Sequence, residues 1–330
     1  MSPRPSAVPP PVTAVLDAAT AWLPGMLGSV ERRLGEVAGG HGPALDAAAD
    51  ATLSAGGKRL RPLLVLLCAG RDGGDSAVRA GTAVELVHMA TLVHDDVLDD
   101  APLRRGRPTV FATSGRARAT STGDLLFSRA FALLADAGDS AQVSLLAEAS
   151  VALALGELEQ RRDAYDTGVS AERYLERCRL KTGRLFECAC LMGLAAGGGD
   201  GAAAVDLRNF GSRIGLAFQL LDDVLDVTGP PERTGKARGT DLLDGTVTLP
   251  LIVASDRDPG LRGVDLRGLD PAGAEQLCER IAASGALEEV RSQALAMVAE
   301  AKAGIAGSGF DAEQRDLLGL VADGVVERYS

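Results

Sequence analysis

The sequence predicts an all-α fold, and three observations carry that prediction. Hydrophobic residues fill 46% of the 330 positions while aromatics fill only 3%, so the apolar mass is largely Ala, Leu and Val, of which Ala and Leu are strong helix formers. Period-two alternation of β-branched and aromatic residues, the mark of a half-buried strand, is nearly absent. The apolar stretches run long and are punctuated by Gly pairs and Pro.

Taken in order, helices are expected over 13–37, ended by Gly39-Gly40; over 44–54, ended by Gly56-Gly57; over 60–69, ended by Gly70; and over 76–99, capped by Ser76 and stopped by Pro102 and the Arg-Gly-Arg-Pro run at 105–108. Further helices follow over 118–136, 140–165, 171–196, 202–228, 241–255, 271–284, 286–306 and 311–328. The longer ones exceed a typical helix and imply a large helical bundle around a central cavity, with no fixed-period repeat or βαβ alternation to compete. The Pro-rich residues 1–12 are expected to be disordered. Residues 13–330 read as one domain, because the motifs on both sides of the loop-like stretch 229–240 serve one site.

A formal net charge of -11 argues against a nucleic-acid partner, which calls for a basic field. It leaves room for an anionic substrate in a local basic pocket. The five cysteines, Cys68, Cys178, Cys188, Cys190 and Cys278, are odd in number and lie in apolar stretches, so buried thiols in a reducing compartment are expected rather than disulfides. The N-terminus lacks an apolar signal core, and no apolar run is expected to reach the roughly 20 residues that span a bilayer. A cytoplasmic protein follows, with peripheral membrane contact left open.

Two segments carry the chemistry: His94-Asp95-Asp96-Val97-Leu98-Asp99 and Phe218-Gln219-Leu220-Leu221-Asp222-Asp223-Val224-Leu225-Asp226. Both hold D-D-x-x-D inside an apolar helix, and positions i, i+1 and i+4 fall within about 100° of one another. Like charges at that spacing destabilise a helix, so six carboxylates need a cationic counterpart. Mg2+, a hard cation that takes carboxylate and phosphate oxygen, suits them; three histidines and no Cys/His spacing suit zinc poorly. Cations are available in Gly56-Gly57-Lys58-Arg59-Leu60-Arg61-Pro62, in Arg104-Arg105-Gly106-Arg107-Pro108-Thr109, in Lys181-Thr182 and in Gly235-Lys236. Together they read as the lining of a phosphate pocket.

These segments, with Gly123-Asp124, GELEQ at 156–160, KTG at 181–183 and GKARGTDLLDGTVTLP at 235–250, stand in the order found in the trans-isoprenyl (polyprenyl) diphosphate synthases. The chain strongly resembles that family over roughly 50–250. The resemblance implies an all-α bundle, usually a homodimer, with the aspartate helices facing across the cavity. It implies that Asp95, Asp96, Asp99, Asp222, Asp223 and Asp226 hold Mg2+, as three ions with substrate bound. Arg104, Lys181 and Lys236 would hold an allylic diphosphate; Lys58, Arg61, His88 and Arg105 would hold isopentenyl diphosphate; Phe218, Gln219 and Thr182 would line the reacting carbons. Thr246 departs from the pattern, standing where many relatives have Lys.

Product length is read from the first aspartate helix, where bulk one turn before Asp95 forms a floor in the family. Here Ala90 and Thr91 are small, and Val87, Leu86 and Ala83 beyond them include no aromatic. One helical turn is about 5.4 Å, near the length of one isoprene unit, so a long product, hexaprenyl to decaprenyl, is expected, and Ala90→Phe should shorten it. A short-chain (farnesyl or geranylgeranyl) synthase is the nearest alternative. A class I terpene cyclase would need no second diphosphate pocket, and an inactive regulatory subunit would be expected to lose motif aspartates or cations; both rank lower.

Overall fold

The computed structural model describes residues 10–199, 201–229, 238–307 and 309–327, with side chains from Thr13 onward. The disorder expected of residues 1–12 falls mostly outside the described residues, but the chain is already helical at Pro10, where α1 (Pro10–Ala18) begins. The single helix expected over 13–37 is two, because Pro24 opens α2 (Leu23–Ala38) and the residue before a proline is biased away from helical dihedrals. Next come α3 (Pro43–Ser54), α4 (Leu60–Ala69) and the 25-residue α5 (Gly74–Leu98), which carries the first aspartate cluster.

After α5 a two-residue hairpin, β1 (Leu103–Arg104) against β2 (Arg107–Pro108), is the only strand pair among the described residues. Its turn residues, Arg105 (φ 53) and Gly106 (φ 73), both take positive φ, as a tight hairpin requires. Then α6 (Val110–Ala135) starts eight residues before position 118, capped by the Thr109 hydroxyl, and breaks at Gly115 (φ 79). The remaining elements are α7 (Ser140–Arg162), α8 (Ala171–Cys178), a π turn over Arg179–Gly183, α9 (Arg184–Ala196), α10 (Ala202–Thr228) with the second cluster, α11 (Thr240–Leu243), α12 (Leu249–Arg257), α13 (Pro271–Ala283), α14 (Ala286–Ala306) and α15 (Ala312–Glu327). The helix expected over 241–255 is therefore interrupted, at Gly245 with φ 73.

The core is built around α4, α5, α9 and α10. Every residue of α4 from Pro62 to Ala69, and of α9 from Leu185 to Leu194, is buried. Glycines let these helices touch backbone to backbone. A Cβ on Gly193 would sit 2.4 Å from Val65 O on α4, and one on Gly211 of α10 would sit 2.8 Å from Phe186 O and Glu187 Cα on α9. All five cysteines are buried free thiols, as expected.

One helix departs from the membrane reading of the sequence. α7 has 23 residues and a mean hydropathy of 1.3 over its most apolar window, so by length and composition it could cross a membrane. Only a third of that window is buried. One side of α7 lines the central cavity through Ser150, Leu153, Ala154 and Leu158, while Val151 and Leu155, at i and i+4, stand 61% and 48% exposed.

The glycine contacts generate a stability prediction. Gly211→Ala should force α9 and α10 apart and cost about 1–3 kcal/mol, the usual range for overpacking, read as a lower urea midpoint. Gly304→Ala, with nothing near its added Cβ, should cost nothing.

Candidate active site

α5 and α10 bring the two clusters to one cavity of about 800 Å³. From α5 the wall takes His88, Thr91, Leu92, Asp95, Leu98 and Asp99, a stripe with helical spacing. From α10 it takes Phe218, Gln219, Asp222 and Asp223.

The six aspartates, expected as equivalent metal ligands, divide into two groups. Asp95, Asp99 and Asp222 face the cavity. Asp223, at its edge and 2% exposed, accepts from Gln219 Nε2 at 2.8 Å and from the Tyr174 hydroxyl. Asp96 is 5% exposed and turned to a smaller neighbouring cleft, where Arg104 Nε lies 2.7 Å away. Asp226 does not line the cavity; its side chain accepts from the Asp241 amide at 3.2 Å and its carbonyl from the Gly239 amide. For Asp96 and Asp223 the reason is rotational: the second Asp of each D-D-x-x-D sits about 100° round the helix from the first. Asp96, Asp223 and Asp226 thus hold protein partners, as Asp99 does in Arg161.

Burial raises the pKa of Asp95, aided by Glu157 and Asp99 and opposed by Lys181 and Arg104. Burial also pushes Asp223 well up, with Asp241 adding to it. Burial works to lower Lys181, but Asp95 and Glu157 outweigh it and the amine is held charged. Among the described residues no three Asp, Glu, His or Cys side chains converge on one ion. Carboxylate oxygens spread around a cavity fit a hard divalent cation that keeps water or substrate phosphate in its shell, so the donor set fits the metal expected here.

The expected diphosphate cations are largely assembled. Lys181 lies on the π turn, its Nζ 2.5 Å from Glu157 Oε2. Thr182 donates to Gln219 Oε1 at 2.9 Å. A Cβ on Gly156 would sit 2.6 Å from the Lys181 amide nitrogen, which gives the GELEQ segment its role: α7 can approach the turn only as glycine. Thr246 lines the same cavity. Lys236 lies outside the described residues.

Beside the cavity is a basic cleft formed by Gly56, Arg59, His88, Arg104 and Arg105. Arg61 reaches the boundary of the two; its guanidinium stacks 4.6 Å over Phe186, and its buried Nε has no partner. Burial lowers the Arg61 pKa to about 10, with Arg105 adding to the fall. His88 is held well below the usual histidine range by burial and then by Arg61, Arg105, Arg104 and Arg59. Arg59 and Arg104 are already paired with carboxylates, but Arg61 Nε, in the wall of the adjoining cavity, is a buried donor without a hydrogen-bond partner, and such a donor is complementary to an anion. Lys58 is on the same loop but lines neither space. Arg59, which no reading of the sequence singled out, is buried in ion pairs to Glu31 and Glu85 and fixes the loop in its left-handed conformation (φ 50).

The floor also differs from expectation. Thr91 lines the cavity, but Ala90 and Val87 are fully buried and do not; Ala90 sits about 100° round the helix from Thr91, whereas Val87 lies one turn before Thr91 on the same side. An aromatic ring does enter, from α6: Phe127 lines the cavity and stacks on His94 at 5.9 Å. Tyr174, Glu157 and Arg161 were likewise missed, because nothing local marks a tyrosine or an ion pair that closes across three helices.

The polyprenyl synthetase model matches residues 42–265. The chain belongs to the polyprenyl synthetase family. Among its relatives, heptaprenyl diphosphate synthase component 2 of Geobacillus stearothermophilus is 43% identical over 242 residues, covering 72% of this chain and 75% of that protein. A polyprenyl synthase from Caulobacter crescentus CB15, solved with calcium and isoprenyl diphosphate, superposes with a TM-score of 0.90 at 35% identity over 99% of this chain and 100% of that one. A decaprenyl diphosphate synthase from Rhodobacter capsulatus follows at 0.88 and 32%, over 97% and 99%. This polyprenyl synthetase is an all-α prenyltransferase, as the sequence implied.

The environment of His88 sets a pH prediction. Its folded pKa lies below the unfolded value of about 6.5, so as pH falls the unfolded chain takes up a proton that the folded chain refuses. That contribution is absent above about pH 7 and destabilising below it. His88→Gln should therefore lose less stability than wild type between about pH 7 and 5, measured by urea unfolding; parallel curves would show that His88 titrates alike in both states.

Proposed function

We propose that this polyprenyl synthetase is a Mg2+-dependent 1′–4 trans-prenyltransferase. It condenses isopentenyl diphosphate with an allylic diphosphate to give a long-chain all-trans polyprenyl diphosphate, in the hexaprenyl to decaprenyl range. One observation carries the reading: two aspartate faces share a cavity that adjoins a separate, cationic cleft. A terpene cyclase needs only the first of these, and an inactive subunit needs neither. The relatives named for heptaprenyl and decaprenyl products support the length.

Asp95, Asp99 and Asp222 would hold Mg2+, three ions with substrate bound, which would stabilise the charge on the departing diphosphate. Lys181, Arg104 and Lys236 anchor that diphosphate. Arg61, Arg105, neutral His88 and Lys58 hold the second diphosphate so that its double bond faces the allylic carbon. Phe218 and the Thr182–Gln219 pair line the reacting carbons, and Asp223, Asp96 and Asp226 position their helices. Among the described residues, Ser150 and Cys178 line the cavity without a hydrogen bond to a histidine, Ser150 donating instead to Leu146 O. The proton lost in the last step passes to the released diphosphate.

The exposed Val151 and Leu155 support a homodimer built on α7, where a second copy would cover them. A cytoplasmic enzyme that touches the membrane to release its product suits the apolar product. The Phe127 ring favours one second reading, a short-chain synthase in which that ring is the floor.

Purified protein given Mg2+, labelled isopentenyl diphosphate and dimethylallyl, geranyl, farnesyl or geranylgeranyl diphosphate in turn should build chains beyond geranylgeranyl. An end at farnesyl or geranylgeranyl would select the short-chain reading, and no incorporation with any primer would refute prenyl transfer. Thr91→Phe should shorten the ladder. Ala90→Phe should leave its length alone and instead cost about 1–3 kcal/mol of stability by overpacking.

A further inference from the structure

Building on the prenyl-transfer reading, we propose that Arg161 is an additional ligand of the allylic diphosphate, one that no motif marks. Arg161 lies in the last turn of α7, next to its final residue Arg162 and four residues after Glu157, and both Arg161 and Glu157 line the large cavity. Its Nη2 lies 2.5 Å from Asp99 Oδ1 and its Nε 2.7 Å from Glu157 Oε1. Glu157 Oε2 in turn lies 2.5 Å from Lys181 Nζ. Asp99, Arg161, Glu157 and Lys181 thus form one row of alternating charge along the wall between the first aspartate cluster and the diphosphate lysine.

The other arginines that line this cavity each have a contact of their own in the folded chain. Arg177, 3% exposed, donates to Asp163 and to Val247 O at 2.6 Å. Arg104 holds Asp96, and Arg61 stacks on Phe186. Arg161 differs in two ways: its side chain is 41% exposed, and its partner Asp99 is a metal ligand in the proposed reaction. When a metal ion takes Asp99, Arg161 gives up that partner but stays tethered by Glu157. The anion then nearest its guanidinium is the diphosphate that the same ion holds. A planar guanidinium with free N–H groups binds phosphate oxygens in pairs, and Thr246 supplies no charge to the same cavity. Glu157, bonded to both Arg161 and Lys181, keeps the two cations side by side. The competing role for Arg161 is that of a stand-in, neutralising Asp99 only until the metal arrives.

Calorimetric titration of the full-length protein with inorganic diphosphate at fixed Mg2+ separates these roles. The titration compares wild type, Arg161→Leu and Arg161→Lys, with KM values for farnesyl and isopentenyl diphosphate and unfolding midpoints measured alongside. As a ligand, Arg161 loses to Leu at least about tenfold in diphosphate affinity, the scale of one charge-assisted hydrogen bond. KM for the allylic substrate then rises by a similar factor, KM for isopentenyl diphosphate stays put, and Lys restores part of the loss. Unchanged diphosphate affinity with a lower Mg2+ requirement would overturn the proposal in favour of the stand-in. Equal weakening of both substrates would overturn it as a general loss of field or fold. A wild-type protein that binds no diphosphate with Mg2+ would refute the prenyl-transfer reading itself, whereas wild-type binding that Arg161→Leu leaves intact would refute only the role of Arg161.

Discussion

Eight carboxylates and five cationic side chains line the central cavity among the described residues, and that imbalance is the condition the molecule is built to tolerate. Ionised acids in a partly dry space repel one another and lose hydration, which is why burial lifts Asp95 and Asp223. The protein quiets the outer members of each cluster with its own groups: Arg104 for Asp96, Tyr174 and Gln219 for Asp223, the Asp241 amide for Asp226. Of the acids that face the cavity, Asp99 and Glu157 are held by Arg161 and Lys181, and acids still outnumber cations in its wall.

Holding such a site open requires a rigid surround. The backbone contacts at Gly156, Gly193 and Gly211 bring α7, the π turn, α4, α9 and α10 closer than any side chain would allow, so Lys181, Thr182 and Gln219 are fixed by main chain rather than by long flexible arms. The π turn itself places Lys181 and Thr182 toward Glu157 and Gln219. On the other side, the hairpin turn at Arg105 and Gly106 folds Arg104 and Arg105 back over the loop that precedes α4, where Arg105 donates to Gly56 O. Two neighbouring spaces, a larger one in which acids outnumber cations and a smaller one lined by Arg59, Arg104, Arg105 and Arg107, flank α5.

Most of the chemistry was legible in the chain because it is local. Asp95 and Asp99, Asp222, Lys181 with Thr182, and Arg104 with Arg105 sit in segments whose composition makes no sense as a solvated face. Helix spans were legible where Gly or Pro marks an end, and misjudged where a proline or glycine acts inside a span: at Pro24, at Gly115 and at Gly245. The floor was misjudged for a different reason. Ala90 and Thr91 are adjacent in sequence, but one faces the core and the other the cavity, and the bulk that matters there, Phe127, belongs to another helix.

The sequence by itself determined the fold class, the family and the charged segments that meet at the cavity, since helical periodicity and the local charge pattern are properties of single segments. The packing of α5, α6, α7 and α10 against one another determined which aspartates face the cavity, that burial and four arginines lower the His88 pKa, and that Glu157 ties Arg161 to Lys181. Each of these depends on desolvation and on contacts between residues far apart in the chain, and those exist only once the helices have been brought together.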